Sequence, residues 1–265
     1  MLSIIIPAHN EEKRIGPTLE VYGKFFSDIE KKQGLRHEII IVLNACKDNT
    51  IDIVKEYSRK YKKISYIEFV QGGKGFAVTE GFKHSLRINN EASNLIGFVD
   101  ADMATSPSDF YQLAGNIGNY DGIIASRWMK KSVIDTPQTF LRKLTSRGFN
   151  FITRVLFFMP YKDTQCGAKI FKRNVIEIIT PKINITQWAF DINLLYLCKR
   201  NNFRIKEHPT VWNDKSGSKI NLVQTPMKMF LGVLRLRILY SPLNFIVRFY
   251  NKIPEVAKIH HKLTG

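Results

Sequence analysis

The chain has 265 residues, 40 Lys plus Arg against 23 Asp plus Glu, a formal net charge of +17, and 44% apolar residues. These figures exclude intrinsic disorder, a collagen-like repeat and a disulfide-stapled mini-protein, and they allow one large α/β core. A positive field of this size draws polyanions, whether nucleic acid, nucleotide-linked substrates or anionic lipid headgroups.

In chain order, the first half alternates short β-branched runs with longer amphipathic stretches. Strands are expected at Leu2–Ile6, Glu38–Leu43, Ile64–Phe69 and Leu95–Val99. Crossover helices are expected at Glu11–Lys31, Asn49–Tyr61 and Gly75–Leu86, with Gly and Asn punctuation at their ends. This βαβαβαβ rhythm specifies an α/β fold, a mainly parallel sheet with helices on both faces. Beyond Asp102 the rhythm loosens into a helix from about Pro107, a strand at Gly122–Ser126 and a polar loop from Trp128 to Gln138. A long helix at Phe140–Phe158, a strand at Cys166–Phe171, a helix at Trp188–Lys199 and a strand at Phe203–Trp212 follow. With no internal repeat or linker, residues 1–220 read as one domain and residues 221–265 as a C-terminal helical appendage.

Met1 leads directly into Ser3-Ile4-Ile5-Ile6-Pro7, so no secretory signal is expected. No spanning helix is expected either, because the most apolar stretch, Met227 to Phe249, is interrupted by Arg235, Arg237, Pro242 and Arg248. Cys46, Cys166 and Cys198 are odd in number, far apart and without metal-ligand spacing, and read as reduced thiols of a cytosolic environment.

The chemistry-bearing segments follow strands, as they do where an open parallel sheet binds ligand beyond its carboxyl edge. Pro7-Ala8-His9-Asn10-Glu11-Glu12 follows the first strand, Asn44 to Asn49 the second and Asp100-Ala101-Asp102 the fourth. Two carboxylates one residue apart at a strand end suit a hard divalent cation, Mg²⁺ or Mn²⁺, although Asp before a helix is also a common cap. Gly72-Gly73-Lys74-Gly75 opens a helix and is either an anion site built from backbone N–H groups and Lys74 or a plain tight turn. His9, His37, His84 and His208 form no local catalytic set.

Together these segments resemble glycosyltransferase family 2 enzymes of GT-A fold, and within them the dolichyl-phosphate glucosyltransferase and mannose synthase branch. The resemblance runs nearly end to end. It is carried by Ser3 to Pro7 with Asn10-Glu11-Glu12, Gly73-Lys74-Gly75, Asp100-Ala101-Asp102 with Ala104-Thr105, and Ala125-Ser126-Arg127. Asp163-Thr164-Gln165-Cys166-Gly167, Trp188-Ala189-Phe190-Asp191 and Gly217-Ser218-Lys219 are its most specific parts and favour the glucosyl branch, as does Ala104. That branch is often anchored by an N-terminal membrane helix, which this sequence does not show.

The resemblance implies an inverting, metal-dependent transfer of a hexose, glucose by the branch, from a UDP-sugar to a polyprenyl (dolichyl-type) monophosphate. It assigns Pro7, Glu11, Asn44, Lys74 and Asp100 to the donor, Asp102 to the metal, and Asp100, Asp102, Asp191 and Arg127 to catalysis. Arg127, Arg142, Ser146 and Lys219 are the expected acceptor-phosphate contacts. The chain departs from the family in having Leu43-Asn44-Ala45-Cys46 where an Asp-Asp-Gly-Ser turn is usual, so Asn44 offers an amide and no charge to the nucleoside. The second reading for the same fold is transfer to a polysaccharide or protein hydroxyl with Asp191 as base.

From Lys219 to Lys262 the sequence carries eight bases against Glu255 alone, a charge of +7 in 44 residues. Apolar positions 227, 230, 231, 234 and 238, then 243, 246, 247 and 250, recur at helical spacing around Pro242. Such a tail suits a peripheral position on the cytoplasmic side of a membrane, the alternative being helices packed on the core. A nucleic-acid-binding protein would share the charge but leaves Asp100 and Asp102 unexplained and shows no RNP, KH or helix-turn-helix signature, so no nucleic-acid partner is expected.

Overall fold

The computed structural model describes residues 1–88, 94–135, 140–184, 189–213, 224–242 and 244–245, with backbone alone at 140–144 and 224–228. The order begins β1 (Leu2–Ala8), α1 (Ile15–Gln33), β2 (His37–Asn44), α2 (Thr50–Lys60), β3 (Ile64–Phe69), α3 (Lys74–Ile88) and β4 (Leu95–Val99). It continues α4 (Pro107–Asn116), β5 (Gly122–Ser126), β6 (Val133–Ile134), α5 (Phe140–Phe157), β7 (Ala168–Lys172) and α6 (Arg173–Ile179). After a 3-10 turn at Thr180–Lys182 come α7 (Phe190–Arg200), β8 (Ile205–Pro209), β9 (Val211–Trp212) and α8 (Gln224–Leu239).

Seven strands form the main sheet in the order β3-β2-β1-β4-β7-β5-β8. All neighbours are parallel except β7, which runs antiparallel to both β4 and β5 between them. The expected rhythm of the first half is present because β1, β2 and β4 are buried on both faces, with β3 as the more exposed edge strand. In β1, Leu2, Ile4, Ile6 and Ala8 point into a core shared with Ile15, Leu19 and Phe26 of α1 and Phe110 of α4. Ile5 points the other way, into a core with Phe82 of α3, Ile176 of α6 and Leu194 of α7. Each such fully buried side chain contributes roughly 1.5–3 kcal/mol, so a strand with apolar residues facing both ways is stable only with helices on both sides. α3 lies flush on β1: a Cβ on Gly81 would come within 2.5 Å of the Ile5 side chain.

Several sequence expectations are corrected. α1 begins at Ile15, because Glu11 to Arg14 is taken up by a turn closed by Ile15 N–H to Glu11 O at 2.8 Å. The expected strand at Phe203–Trp212 is divided: Ile205–Pro209 extends the main sheet beside β5, whereas Val211–Trp212 pairs with Val133–Ile134, inside the stretch expected to be loop. α6 was not expected, being only seven residues long. α4 is well specified locally: Ser106 accepts from Asp109 N–H at 3.0 Å, its hydroxyl donates to the Asp109 carboxylate at 2.6 Å, and Pro107 opens the helix.

Of the C-terminal appendage, α8 is described and packs on the body. Val233 and Leu236 are buried, Gly232 sits on Ala189, and the Tyr240 hydroxyl just beyond donates to Asn193 Oδ1 at 2.9 Å. Residues 246–265 lie outside the described residues. Among the described residues no helix is long and apolar enough to cross a membrane.

Candidate active site

The carboxyl ends of β1, β2 and β4 meet at one crevice, and each is followed by a non-glycine residue in the left-handed region: Asn10 (φ 53°), Ala45 (φ 51°) and Met103 (φ 61°). Such backbone is strained for L-residues and persists where surrounding bonds over-determine it. Those bonds are present. Asn10 Oδ1 accepts from Lys47 N–H at 2.8 Å and Thr50 Oγ1 from Glu11 N–H at 2.7 Å, tying the first loop to the second. Thr18 and Tyr22, one turn apart on α1, donate their hydroxyls to the carbonyls of Ala101 at 2.7 Å and Thr105 at 2.9 Å. Asp102 Oδ1 accepts from Ala104 N–H at 3.0 Å. The aspartate loop is thus held at three points.

At the centre stands a chain of alternating charges. Lys74 Nζ lies 2.6 Å from Asp100 Oδ1 and 3.9 Å from Asp191 Oδ2, and Lys169 Nζ lies 2.5 Å from Asp191 Oδ1. Lys169, 0% exposed, also donates to Cys166 O at 2.7 Å and lies over the Phe98 ring. Burial disfavours the Lys74 ammonium, but Asp100 and Asp191 outweigh it and hold its pKa above the ordinary lysine value. Burial pushes the Asp100 carboxyl up, an effect Lys74 opposes and Asp102 reinforces. Asp191 is also penalised by burial, yet Lys169 and Lys74 together hold it below the usual carboxylate range.

Beside this chain, Arg127 follows β5 and is gripped by Asp163, which is fully buried. Its Nε is 2.7 Å from Asp163 Oδ2, its Nη2 3.0 Å from Oδ1, and its own backbone N–H donates to Oδ2 at 3.0 Å. The guanidinium stacks against Trp128 and Trp212 at 5.7 and 5.1 Å. It lines a cleft of about 410 Å³ with Trp128, Lys130, Ser132 and Arg147. That cleft joins the aspartate loop through Asn213 N–H, which donates to Ala104 O at 3.1 Å next to Trp212.

Of the expected donor residues, Lys74 and Asp100 are brought together, and Glu11 is held bidentate by Arg14 at 2.6 and 2.7 Å. Pro7 lies in β1, one residue before its end. Asn44, only 2% exposed, has a side-chain amide that fits one orientation: its nitrogen donates to Ala8 O at 2.7 Å and its oxygen accepts from Gly73 N–H at 3.0 Å. It braces the Gly72–Gly75 turn against β1. Of the acceptor residues, Ser146 lies on α5 one residue before Arg147, Arg142 is on the same helix with its side chain outside the described residues, and Lys219 lies outside them altogether. Trp188 is outside them too. Lys169 and Asp163 were missed as site residues. The signal for Lys169 was a lone Lys inside the apolar run Ala168-Lys169-Ile170-Phe171.

Residues 3–179 match the family model described as Glycosyl transferase family 2. The chain belongs to glycosyl transferase family 2. This family 2 chain is 31% identical over 247 residues to a dolichyl-phosphate beta-glucosyltransferase of Trichomonas vaginalis, covering 90% of this chain and 73% of that protein. It is 32% identical over 251 residues to a dolichyl-phosphate beta-glucosyltransferase of Dictyostelium discoideum, with 90% and 74% covered. The corresponding enzyme of Saccharomyces cerevisiae is 32% identical over 258 residues, with 90% and 75% covered. Among solved structures, Mycobacterium tuberculosis glucosyl-3-phosphoglycerate synthase, crystallised with Mn²⁺, UDP and phosphoglyceric acid, is similar at a TM-score of 0.64 and 15% identity, covering 89% of this chain and 78% of that one. At that identity the likeness is one of fold, and the family 2 chain has the GT-A architecture expected from its sequence.

The donor set of this family 2 site fits a divalent cation carried in with a diphosphate. Among the described residues no cluster of three His, Cys, Asp or Glu side chains is placed to hold a metal. Asp100 is committed to Lys74, which leaves Asp102 as the half-exposed carboxylate at the loop. One carboxylate plus phosphate oxygens is a coordination typical of Mg²⁺ and Mn²⁺.

Proposed function

We propose that the chain transfers glucose from UDP-glucose to a dolichyl-type polyprenyl monophosphate, with inversion at the anomeric carbon. An oxygen of the acceptor phosphate bonds to the anomeric carbon as the bond from that carbon to the departing UDP breaks, so the step requires no proton transfer. The similarity to dolichyl-phosphate beta-glucosyltransferases over 90% of the chain supports this reading of the substrates.

The observation that carries it is the state of Asp191. A carboxylate held low by Lys169 and Lys74 is a weak proton acceptor, poorly matched to activating a sugar or protein hydroxyl. A monophosphate ester, with a second pKa near 6, is already anionic at neutral pH and requires no base. Asp191 then positions Lys74 and the sugar, and Asp100, fixed by Lys74, lies beside the donor.

Asp102 would hold Mg²⁺ or Mn²⁺ together with the donor diphosphate. The cation would offset the charge that builds on UDP as it leaves. Pro7, Glu11 and the loop braced by Asn44 contribute the nucleoside side of the site. Arg127, with Arg142, Ser146 and Lys219, contributes the acceptor-phosphate side, where cations are needed to hold one anion against another. Because the acceptor is a lipid and the donor a nucleotide sugar, the reading puts the enzyme peripherally on the cytoplasmic face of a membrane, with the basic tail of residues 221–265 available to anionic headgroups.

Incubation with radiolabelled UDP-glucose and polyprenyl phosphate tests this reading. Label is expected in the organic phase. Label remaining in water, or appearing only on a hydroxyl acceptor, overturns it.

A further inference from the structure

Among the described residues, exposed large apolar side chains concentrate on α5. Phe151 is 65% exposed, Val155 54% and Phe158, one residue past the helix end, 76%, and Ile152 is exposed as well. The other side of the helix is committed inward: Asn150, Thr153 and Phe157 are buried. At about 100° per residue, Arg147, Phe151 and Arg154 fall along one stripe with Val155 beside it. Both arginines on that stripe are exposed. α8, packed alongside α5, exposes Phe230 and Leu231 in turn.

We propose that this face of α5 is the surface that rests on an anionic lipid bilayer, its aromatic and aliphatic side chains among the upper acyl chains and Arg147 and Arg154 among the phosphates. A contiguous apolar patch rimmed by cations is expensive to leave in water and has the composition of an interfacial helix. The inference rests on the lipid-acceptor reading and adds a location to it.

Charge selects the occupant. A second copy of the chain would bring the same two arginines to the same face, two like-charged surfaces of a protein with net charge +17. The chain's own residues 246–265, with Arg248, Lys252, Lys258 and Lys262 against Glu255, are basic too. An anionic leaflet is complementary. Continuity points the same way: Arg147 lines the cleft beside Arg127 and stacks over Trp128 at 4.9 Å, and Phe151 lies one helical turn, roughly 6 Å, further along α5. A lipid phosphate in that cleft has its hydrocarbon tail next to the apolar stripe.

The test compares the full chain with a Phe151→Ser/Val155→Ser variant in co-sedimentation with phosphatidylcholine vesicles containing or lacking phosphatidylserine. Thermal unfolding and turnover of a short-chain, water-soluble polyprenyl phosphate are measured alongside. The parent is expected to bind the phosphatidylserine vesicles, and the variant to bind about tenfold or more weakly with unchanged unfolding temperature and unchanged turnover of the soluble acceptor. Equal vesicle binding by both proteins overturns the proposal. So does loss of binding only on reversing the charges of Lys252, Lys258 and Lys262, or a parent that is dimeric and a variant that is monomeric with vesicle binding unaltered. The vesicle assay contains no acceptor, so a chain that binds vesicles through α5 yet glucosylates no polyprenyl phosphate refutes the acceptor reading alone.

Discussion

Gly167 lies against Asp100 so closely that a Cβ built on it would stand 1.9 Å from Asp100 Oδ2 and 2.4 Å from its carboxyl carbon. The antiparallel strand β7 begins at the next residue and pairs Ala168 with Val99, so the carboxylate that follows β4 is seated on the backbone that leads into the strand beside it. Gly167→Ala is expected to displace Asp100 and with it the Lys74 ion pair. Turnover should fall about 100-fold, the scale of a misplacement near 1 Å, while affinity for UDP changes less. Steady-state kinetics with isothermal titration of UDP checks this.

Asp102 is tested by Asp102→Ala, which removes one bond to Ala104 N–H and the carboxylate proposed to hold the cation. Turnover should fall on the order of 10³-fold with little change in unfolding temperature. Binding of UDP in the presence of Mn²⁺ should drop to the level the parent shows in EDTA. A variant that keeps Mn²⁺-dependent UDP binding would place the metal elsewhere.

Lys169→Met leaves Asp191 buried with Lys74, 3.9 Å away, as its remaining ion-pair partner among the described residues. Breaking a buried ion pair on one side costs about 3–5 kcal/mol, read as a lower urea midpoint. Removing both charges in Lys169→Met/Asp191→Leu should recover much of that stability without recovering activity. The separation of the two readouts shows that the pair is retained for what it positions.

Arg127 and Asp163 make a pH prediction. Burial raises the Asp163 carboxyl, but Arg127 more than offsets this and leaves it below its ordinary value. A carboxyl depressed in the folded state adds stability that is fully present above its unfolded value, about pH 4, and is lost as pH falls through the folded value. Arg127→Met reverses the sign: Asp163, now buried without its partner, rises above its unfolded value, so its charge is a penalty at neutral pH that is relieved as pH falls through the raised folded value. Urea midpoints measured from about pH 3 to about pH 7 are expected to show a loss of about 3–5 kcal/mol relative to the parent at neutrality that narrows as the pH falls.

The first half of the fold was legible because β1, β2 and β4 are apolar on both faces, β3 is a short run bounded by turn residues, and the helices between them are amphipathic. The aspartates were legible because a carboxylate pair after a buried strand, ambiguous by itself between a cation site and a helix cap, stood among the other segments that resemble the family. Lys169 was not, since a Lys in a strand ordinarily points to solvent. It is buried here because β7 is inserted between β4 and β5 and covered by helices, a relationship created by topology rather than local pattern. Asn44 resembled a nucleoside contact by its place in the motif, but its amide is used between Ala8 and Gly73. β6 and β9, two residues each, are too short to carry any periodicity.

The insertion of β7 also sets the order in which the chain acquires its shape during synthesis. When residues up to Ser126 have left the ribosome, β4 has an open edge and β5 has no place beside it, because the strand that joins them is still about forty residues from the exit. An unpaired buried strand edge is an invitation to other chains. A nascent chain arrested near residue 160 should therefore be protease-sensitive and bound by chaperones. Protection should appear only once β7 and α7 have emerged, the same event that delivers Lys169 and Asp191 to the site.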